Sequence, residues 1–134
     1  MRRLFLLPEN DVKYLATTGT DWEALVEPPG SRWLLIPNWP VRLSGYAVDS
    51  VTVALMIPPG YPDAQIDMAY FHPHLARMDG KQISAVASMC IDGKSFQRWS
   101  RHRTKQSPWR PGEDDVSTHL VLVEGWLEQE LKKR

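Results

Sequence analysis

Short apolar runs broken by proline and glycine follow Trp22, and they constrain the fold more than any other feature of the sequence. The longest run, residues 48–57, ends at the proline-rich segment 58–62. Its strongly apolar side chains recur at every second position: Val51, Val53, Leu55 and Ile57. A period of two residues is typical of a strand with one buried face, so this run predicts a β-strand.

Three further runs predict the other strands of an antiparallel β-meander, at residues 23–27, 33–36 and 66–71. Pro73 would end the last of them, because proline cannot donate to a sheet ladder. Residues 75–95 contain two glycines and no sustained period, and they predict a loop.

Two helices are expected to flank these strands. The first is a short helix from Val12 to Ala16, capped by Asn10 or Asp11. The second begins after Asp114 or Asp115 and carries apolar residues at helical spacing: Val116, Leu120, Val123, Leu127 and Leu131. The sequence therefore predicts an α+β fold in which an antiparallel meander lies between flanking helices.

Composition limits the classes of function that this chain can serve. Its 134 residues predict one domain, residues 1–134, and sixteen basic residues balance sixteen acidic ones. A chain without net charge is not suited to coating nucleic acid. The four apolar residues before Pro8 are too few for a signal peptide or a membrane span, and one cysteine suits a reducing compartment. We expect a cytoplasmic protein without a membrane partner.

Cys90 is the residue that points most directly to chemistry. Six lysines and arginines and no acid lie between Lys94 and Arg110. If this basic run folds over Cys90, its positive charge would favour the nucleophilic thiolate. The competing interpretation is that Cys90 is a small buried residue between Met89 and Ile91, since free cysteines are among the most buried side chains.

Four short motifs follow one another in the chain: Tyr61-Pro62, Phe71-His72-Pro73-His74, Cys90-Ile91-Asp92 and Trp109-Arg110-Pro111. This order resembles that of ubiquitin-conjugating enzymes, which carry Tyr-Pro, His-Pro-Asn, a catalytic cysteine followed by Leu-Asp, and Trp-x-Pro. The string 99–102, Trp-Ser-Arg-His, together with Trp-Arg-Pro-Gly-x-Asp at 109–114, is similar to a bacterial branch of that superfamily. The resemblance extends from about Pro8 to Leu131.

The resemblance implies a ubiquitin-conjugating-enzyme-like domain that transfers acyl groups without a metal or another cofactor. Cys90 would accept a ubiquitin-like modifier as a thioester and pass it to an amine or a hydroxyl group. His74 stands where the family has asparagine, and its imidazole N–H, or His102 from the other side, would stabilise the oxyanion. Loss of one oxyanion donor costs about 10²–10³ in rate. Structural roles fall to the remaining motif residues: Tyr61, Pro62, His72, Pro73, Trp99, Trp109 and Pro111.

Cys90 lies eighteen positions after His72, a longer separation than is usual in the family. If Cys90 does not align with the family nucleophile, Ser88 or Ser95 becomes the candidate ester-forming hydroxyl. A serine in that role needs an adjacent base.

The implied partners are those of the bacterial branch: a ThiF-type activating enzyme, a ubiquitin-like modifier and a JAB-type peptidase in the same pathway. Conjugation operons of this kind suggest a role in stress or phage defence.

Three other functions remain open on the sequence. The altered motif at His74 is compatible with a non-catalytic module that only binds a modifier or an activating enzyme. A metal site could be formed by His72, His74, Cys90 and His102. Their spacing in the sequence matches no familiar metal-binding motif. Arginines interleaved with Trp99 and Trp109 could stack on nucleic-acid bases, but the acidic residues 113–115 and the zero net charge argue against that function.

Overall fold

The four apolar runs form strands, the two amphipathic segments form helices, and two further strands form a hairpin after residue 85. A computed structural model describes residues 1–133, so Arg134, the last residue of the predicted domain 1–134, lies outside the described residues. The elements in chain order are α1 (Glu9–Thr18), β1 (Glu23–Glu27), β2 (Ser31–Pro40), β3 (Ser50–Ile57), β4 (Ala69–His72), β5 (Val86–Ile91), β6 (Lys94–Trp99) and α2 (Val116–Lys132).

The strands form one antiparallel sheet in the order β1-β2-β3-β4-β6-β5. This arrangement confirms the predicted α+β class, with a meander through the first four strands and a terminal hairpin. No helix of residues 1–133 is long and apolar enough to cross a membrane.

The first helix is longer than predicted and is capped differently. Its N-cap residue is Pro8, whose carbonyl accepts hydrogen bonds from the amides of Asp11 (3.0 Å) and Val12 (3.2 Å). Asp11 does not cap α1, because its side chain points into the protein and is 1% exposed. The helix ends at Gly19, whose φ of 68° is the left-handed conformation that glycine tolerates.

The start of α2 agrees with the sequence prediction. Asp115 is the N-cap, and its side chain accepts a hydrogen bond from the Thr118 amide while the Thr118 hydroxyl accepts one from the Asp115 amide. This reciprocal pair is a capping box, which satisfies two amide groups at the helix start.

The predicted loop at residues 75–95 is wrong in its second half. Residues 86–95 include all of β5 and the start of β6, and the two strands are joined by Asp92 and Gly93. Both turn residues have positive φ, 53° and 72°, as a two-residue type I′ hairpin turn requires. Apolar alternation did not reveal β5, because its residues 87–90 face solvent.

The two faces of the sheet are buried in different ways. One face packs under α2 and carries the larger core, which includes Val53, Phe71, Trp99 and Leu120. The other face has no helix, yet seven of its residues are buried: Leu25, Trp33, Leu35, Ala54, Tyr70, Ile91 and Phe96. The last two come from the β5–β6 hairpin, so the hairpin curls across this face and brings its tip to β1.

Candidate functional site

Cys90 is exposed on β5, the edge strand of the sheet. Its cross-strand partner is Ser95 on β6. Directly opposed residues of an antiparallel pair share one face, with Cβ atoms about 4.5–5.5 Å apart. The thiol is therefore open to solvent beside a hydroxyl group, and the interpretation of Cys90 as a buried core residue is wrong.

His74 reaches the same point from the segment after β4. Its Nε2 lies 3.0 Å from Oγ of Ser95, within hydrogen-bond distance. Ser95 therefore lies beside two groups: the imidazole of His74, which it contacts, and Cys90, its cross-strand neighbour. We call residues 74, 90 and 95 the Cys90 cluster. Such a cluster can supply a nucleophile and a group that moves its proton.

His72 contacts the backbone of Ser95. Its Nδ1 lies 2.9 Å from the carbonyl oxygen of Ser95, so Nδ1–H is the donor of that hydrogen bond. The His72 ring also packs on Phe96, with ring centroids 5.4 Å apart. These contacts tie the start of β6 to the end of β4.

Charged side chains fasten the tip of the hairpin to β1. The Arg2 guanidinium donates to both carboxylate oxygens of Asp92, at 2.7 and 2.9 Å, and to both of Glu23 at 2.9 Å. The Asp92 amide donates to the Glu27 carboxylate at 3.1 Å. We call these four residues the tip latch. Hydrogen bonds from Arg2 lower the pKa of Glu23 to about 2 and also lower that of Asp92.

The basic run does not fold over Cys90 as the sequence suggested. Arg101 pairs with Glu130 at 3.0 Å, Arg103 with Asp114 at 3.6 Å and Arg110 with Glu113 at 3.6 Å. These carboxylates lie on α2 or in the segment before it. Three of the six basic residues of the run are therefore paired with carboxylates away from the thiol, while Lys94 stays in the β5–β6 hairpin opposite Ile91.

His102 is separated from the Cys90 cluster. Its Nδ1 lies 2.9 Å from the Asp67 carboxylate. Asp67 precedes β4 and His102 follows β6, whereas His74 follows β4 and Ser95 is the second residue of β6. Because β4 and β6 are antiparallel, the two histidines lie at opposite ends of the sheet. The structure does not bring His102 to Cys90.

The Tyr-Pro and Trp-x-Pro motifs meet at the end of the sheet where His102 lies. The Trp109 indole N–H donates to the carbonyl of Pro62 at 3.0 Å, and its ring centroid lies 6.1 Å from that of Tyr61. The Tyr61 hydroxyl donates to Asp11 at 2.6 Å. Pro111 follows in the turn before α2.

Two other residues of the motifs lie at strand ends. Pro73 follows the last residue of β4. Trp99 is buried under α2, and its indole N–H donates to the Gln97 side chain at 2.9 Å.

No group of three or more potential metal ligands occurs among residues 1–133. Each histidine next to Pro73 has a ring nitrogen directed at Ser95, one at its carbonyl and the other at its hydroxyl.

Sequence reasoning missed the strand that carries Cys90 and the contacts that position it. The dipeptide Asp92-Gly93 was the available signal, because it is among the strongest short hairpin turns. The partnership of Arg2 with Asp92 joins residues ninety positions apart and left no local signal.

Comparison with known proteins identifies one family. The model of the family described as prokaryotic E2 family E matches residues 7–130, which is most of the chain. No curated protein and no solved structure matches the chain.

Proposed function

The chain belongs to prokaryotic E2 family E, and from this premise we propose that it conjugates a ubiquitin-like protein through a thioester on Cys90. The observation that carries this proposal is the exposure of Cys90 on an edge strand, directly across from Ser95, whose hydroxyl contacts His74. Two protein reactants must approach such a thiol in turn, and an edge strand leaves room for both.

The proposed reaction consists of two acyl transfers. In the first, the Cys90 thiolate attacks the C-terminal carbonyl of the modifier on the activating enzyme. A new C–S bond forms, and the activating enzyme leaves as a thiolate. In the second, an amine attacks the Cys90 thioester and displaces the Cys90 thiolate, which takes up the proton that the amine loses. Positioning and oxyanion stabilisation supply the rate, because the thioester is already activated.

His74 is the proposed polar partner of the thioester carbonyl. It occupies the family's asparagine position, and its contact with Ser95 holds it on the side of the hairpin where Cys90 is exposed. His102 has no place in this step of the proposal, because it lies at the far end of the sheet beside Asp67.

The proposal also covers the partners and setting of the pathway. A ThiF-type activating enzyme would supply the modifier, and a JAB-type peptidase would remove it. We propose that the reaction takes place in the bacterial cytoplasm, with defence against phage as its biological purpose. Family membership supports an activating enzyme and a modifier in general, and the sequence motifs support this bacterial branch.

A charging assay tests the proposed function. The protein is mixed with the cognate activating enzyme, its modifier and ATP, and early time points are resolved on non-reducing gels. We expect an adduct that reductant removes and that Cys90→Ala abolishes. Ser88→Ala is the matched control, since Ser88 is also exposed on β5, and it should charge like the wild type.

Two results would contradict this function. An early adduct that persists in Cys90→Ala would place the nucleophile elsewhere. Absence of any adduct, with intact binding of the modifier, would indicate a non-catalytic binding module.

A further inference from the structure

Ser95 has the surroundings of an activated nucleophile. Its Oγ lies 3.0 Å from Nε2 of His74, the separation at which an imidazole accepts a proton from a serine hydroxyl. When the proton of the neutral His74 ring is on Nδ1, the lone pair of Nε2 faces Ser95. An unassisted serine is a weak nucleophile, and this adjacent base is what it requires.

The position of Ser95 is fixed from several directions. His72 holds its carbonyl oxygen at 2.9 Å, and the tip latch fixes the hairpin turn that ends two residues before it. Its cross-strand partner is Cys90, so a thioester carbonyl on Cys90 would form beside the Ser95 hydroxyl. Well-oriented neighbouring groups reach effective concentrations of about 10⁵–10⁸ M, which favours transfer between them over attack by water.

We propose that Ser95 takes the acyl group from Cys90, so that the modifier is held as an oxyester. This inference rests on the proposed function, because it needs the Cys90 thioester as the donor. The Ser95 Oγ attacks the thioester carbonyl, and its proton passes to Nε2 of His74. The C–O bond forms, the C–S bond breaks, and the departing Cys90 thiolate recovers the proton from His74. The step consumes no oxidant, reductant or cofactor.

The experiment uses the full-length protein and a small acyl donor, an acetyl-diglycyl thioester. The reagent acylates Cys90 by thiol exchange, because this chain contains one cysteine and its thiol is exposed. Each timed sample is divided before trypsin digestion: one portion is left untreated, one is treated with reductant and one with hydroxide. Cleavage after Lys94 separates residues 82–94, which contain Cys90, from residues 95–98, which begin with Ser95.

We expect the acyl group to appear first on Cys90 and then on Ser95, in a bond that resists reductant and yields to hydroxide. The second step should be independent of protein concentration. Ser95→Ala should keep the acyl group on Cys90, and His74→Gln should slow the transfer by about 10²–10⁴. Ser88→Ala is the control and should transfer like the wild type, because Ser88 faces Gln97 and not Ser95.

Each alternative result overturns the inference. An acyl group that stays on Cys90 until hydrolysis would exclude transfer to Ser95, while the charging assay would still report a conjugating enzyme. Acylation of Ser95 in Cys90→Ala would show that Ser95 reacts directly and needs no thioester. Failure of the reagent to acylate Cys90 would remove the proposed donor. Equal transfer in wild type and His74→Gln would exclude His74 as the base.

Discussion

At the residue scale, His119 illustrates how burial fixes the charge of a side chain. It is fully buried on α2, where its Nε2–H donates to the Met68 carbonyl at 2.9 Å and its ring packs edge-on against Trp126. Burial lowers its pKa to about 4, because a charged imidazole would lose its hydration there. His119 is therefore neutral in the folded protein at neutral pH.

We predict that His119 makes folding stability depend on pH. The ring titrates near 6.5 in the unfolded chain and near 4 in the folded protein, so its contribution is present above pH 6.5 and is lost as the pH falls towards 4. The loss is roughly 3 kcal/mol between pH 7 and pH 4. Urea unfolding of wild type and His119→Gln at both pH values measures it.

Lowering the pH from 7 to 4 should reduce the free energy of unfolding of the wild type by roughly 3 kcal/mol more than that of His119→Gln. An NMR titration of the His119 ring should give a midpoint near 4. A stability difference that is the same at both pH values would contradict the prediction.

At the element scale, Asp11 joins three parts of the molecule that are distant in sequence. It lies on α1, accepts a hydrogen bond from the Tyr61 hydroxyl at 2.6 Å, and accepts another from the Val116 amide at 3.1 Å. Val116 begins α2, so one buried carboxylate fixes α1 and the Tyr-Pro segment to the start of the second helix. Burial raises the pKa of Asp11, and its two hydrogen bonds oppose that shift.

We predict that Asp11→Ala lowers the free energy of unfolding by about 2 kcal/mol, because two buried donors lose their acceptor and part of this cost is offset by removing a buried carboxylate. Urea denaturation at pH 7 provides the measurement. Asp21→Ala is the control, since Asp21 is exposed, and it should change stability by less than about 0.5 kcal/mol. Equal effects of the two substitutions would show that the contacts of Asp11 do not stabilise the fold.

At the scale of the whole molecule, the tip latch brings together two edges of a six-stranded sheet. The strand order puts β1 and β5 at opposite edges, yet Arg2 contacts Glu23 on β1 and Asp92 at the tip of the hairpin. The curl that makes this contact possible also buries Ile91 and Phe96 against residues of β1 and β2. The latch therefore helps to position the strand that carries Cys90.

We predict that Arg2→Ala speeds hydrogen exchange at the amides of residues 86–95 without unfolding the remaining sheet, because it removes the hydrogen bonds that hold the hairpin tip. Arg42→Ala, at another exposed arginine, is the control and should leave this exchange unchanged. Added salt should reduce the difference, since exposed ion pairs are screened. Unchanged exchange in Arg2→Ala at low salt would exclude the latch as a restraint.

Lowering the pH should also break the ion pair between Arg2 and Glu23. The pKa of Glu23 is about 2 in the folded protein and 4.5 in the unfolded chain, so its stabilising contribution is present above pH 4.5 and is lost as the pH falls through 2.

Local patterns in the sequence determined the first four strands, the second helix and its cap. Alternation at Val51, Val53 and Leu55 fixes which side of β3 joins the larger core, and Asp115 caps α2 because a short acceptor side chain precedes a helical period. The ordered motifs also identified the E2 family. These features depend on residues close in sequence or on their order, so they can be read without a structure.

The tertiary structure decided which chemical groups meet. Asp11 supports α2 instead of capping α1, His102 lies far from Cys90, and β5 forms without an apolar period. The proximity of Ser95 to Cys90 depends on the hairpin register, and its contact with His74 depends on the segment after β4. Sequence patterns record the burial of single residues, whereas a reactive cluster depends on distances between residues far apart in the chain, and folding alone sets those distances.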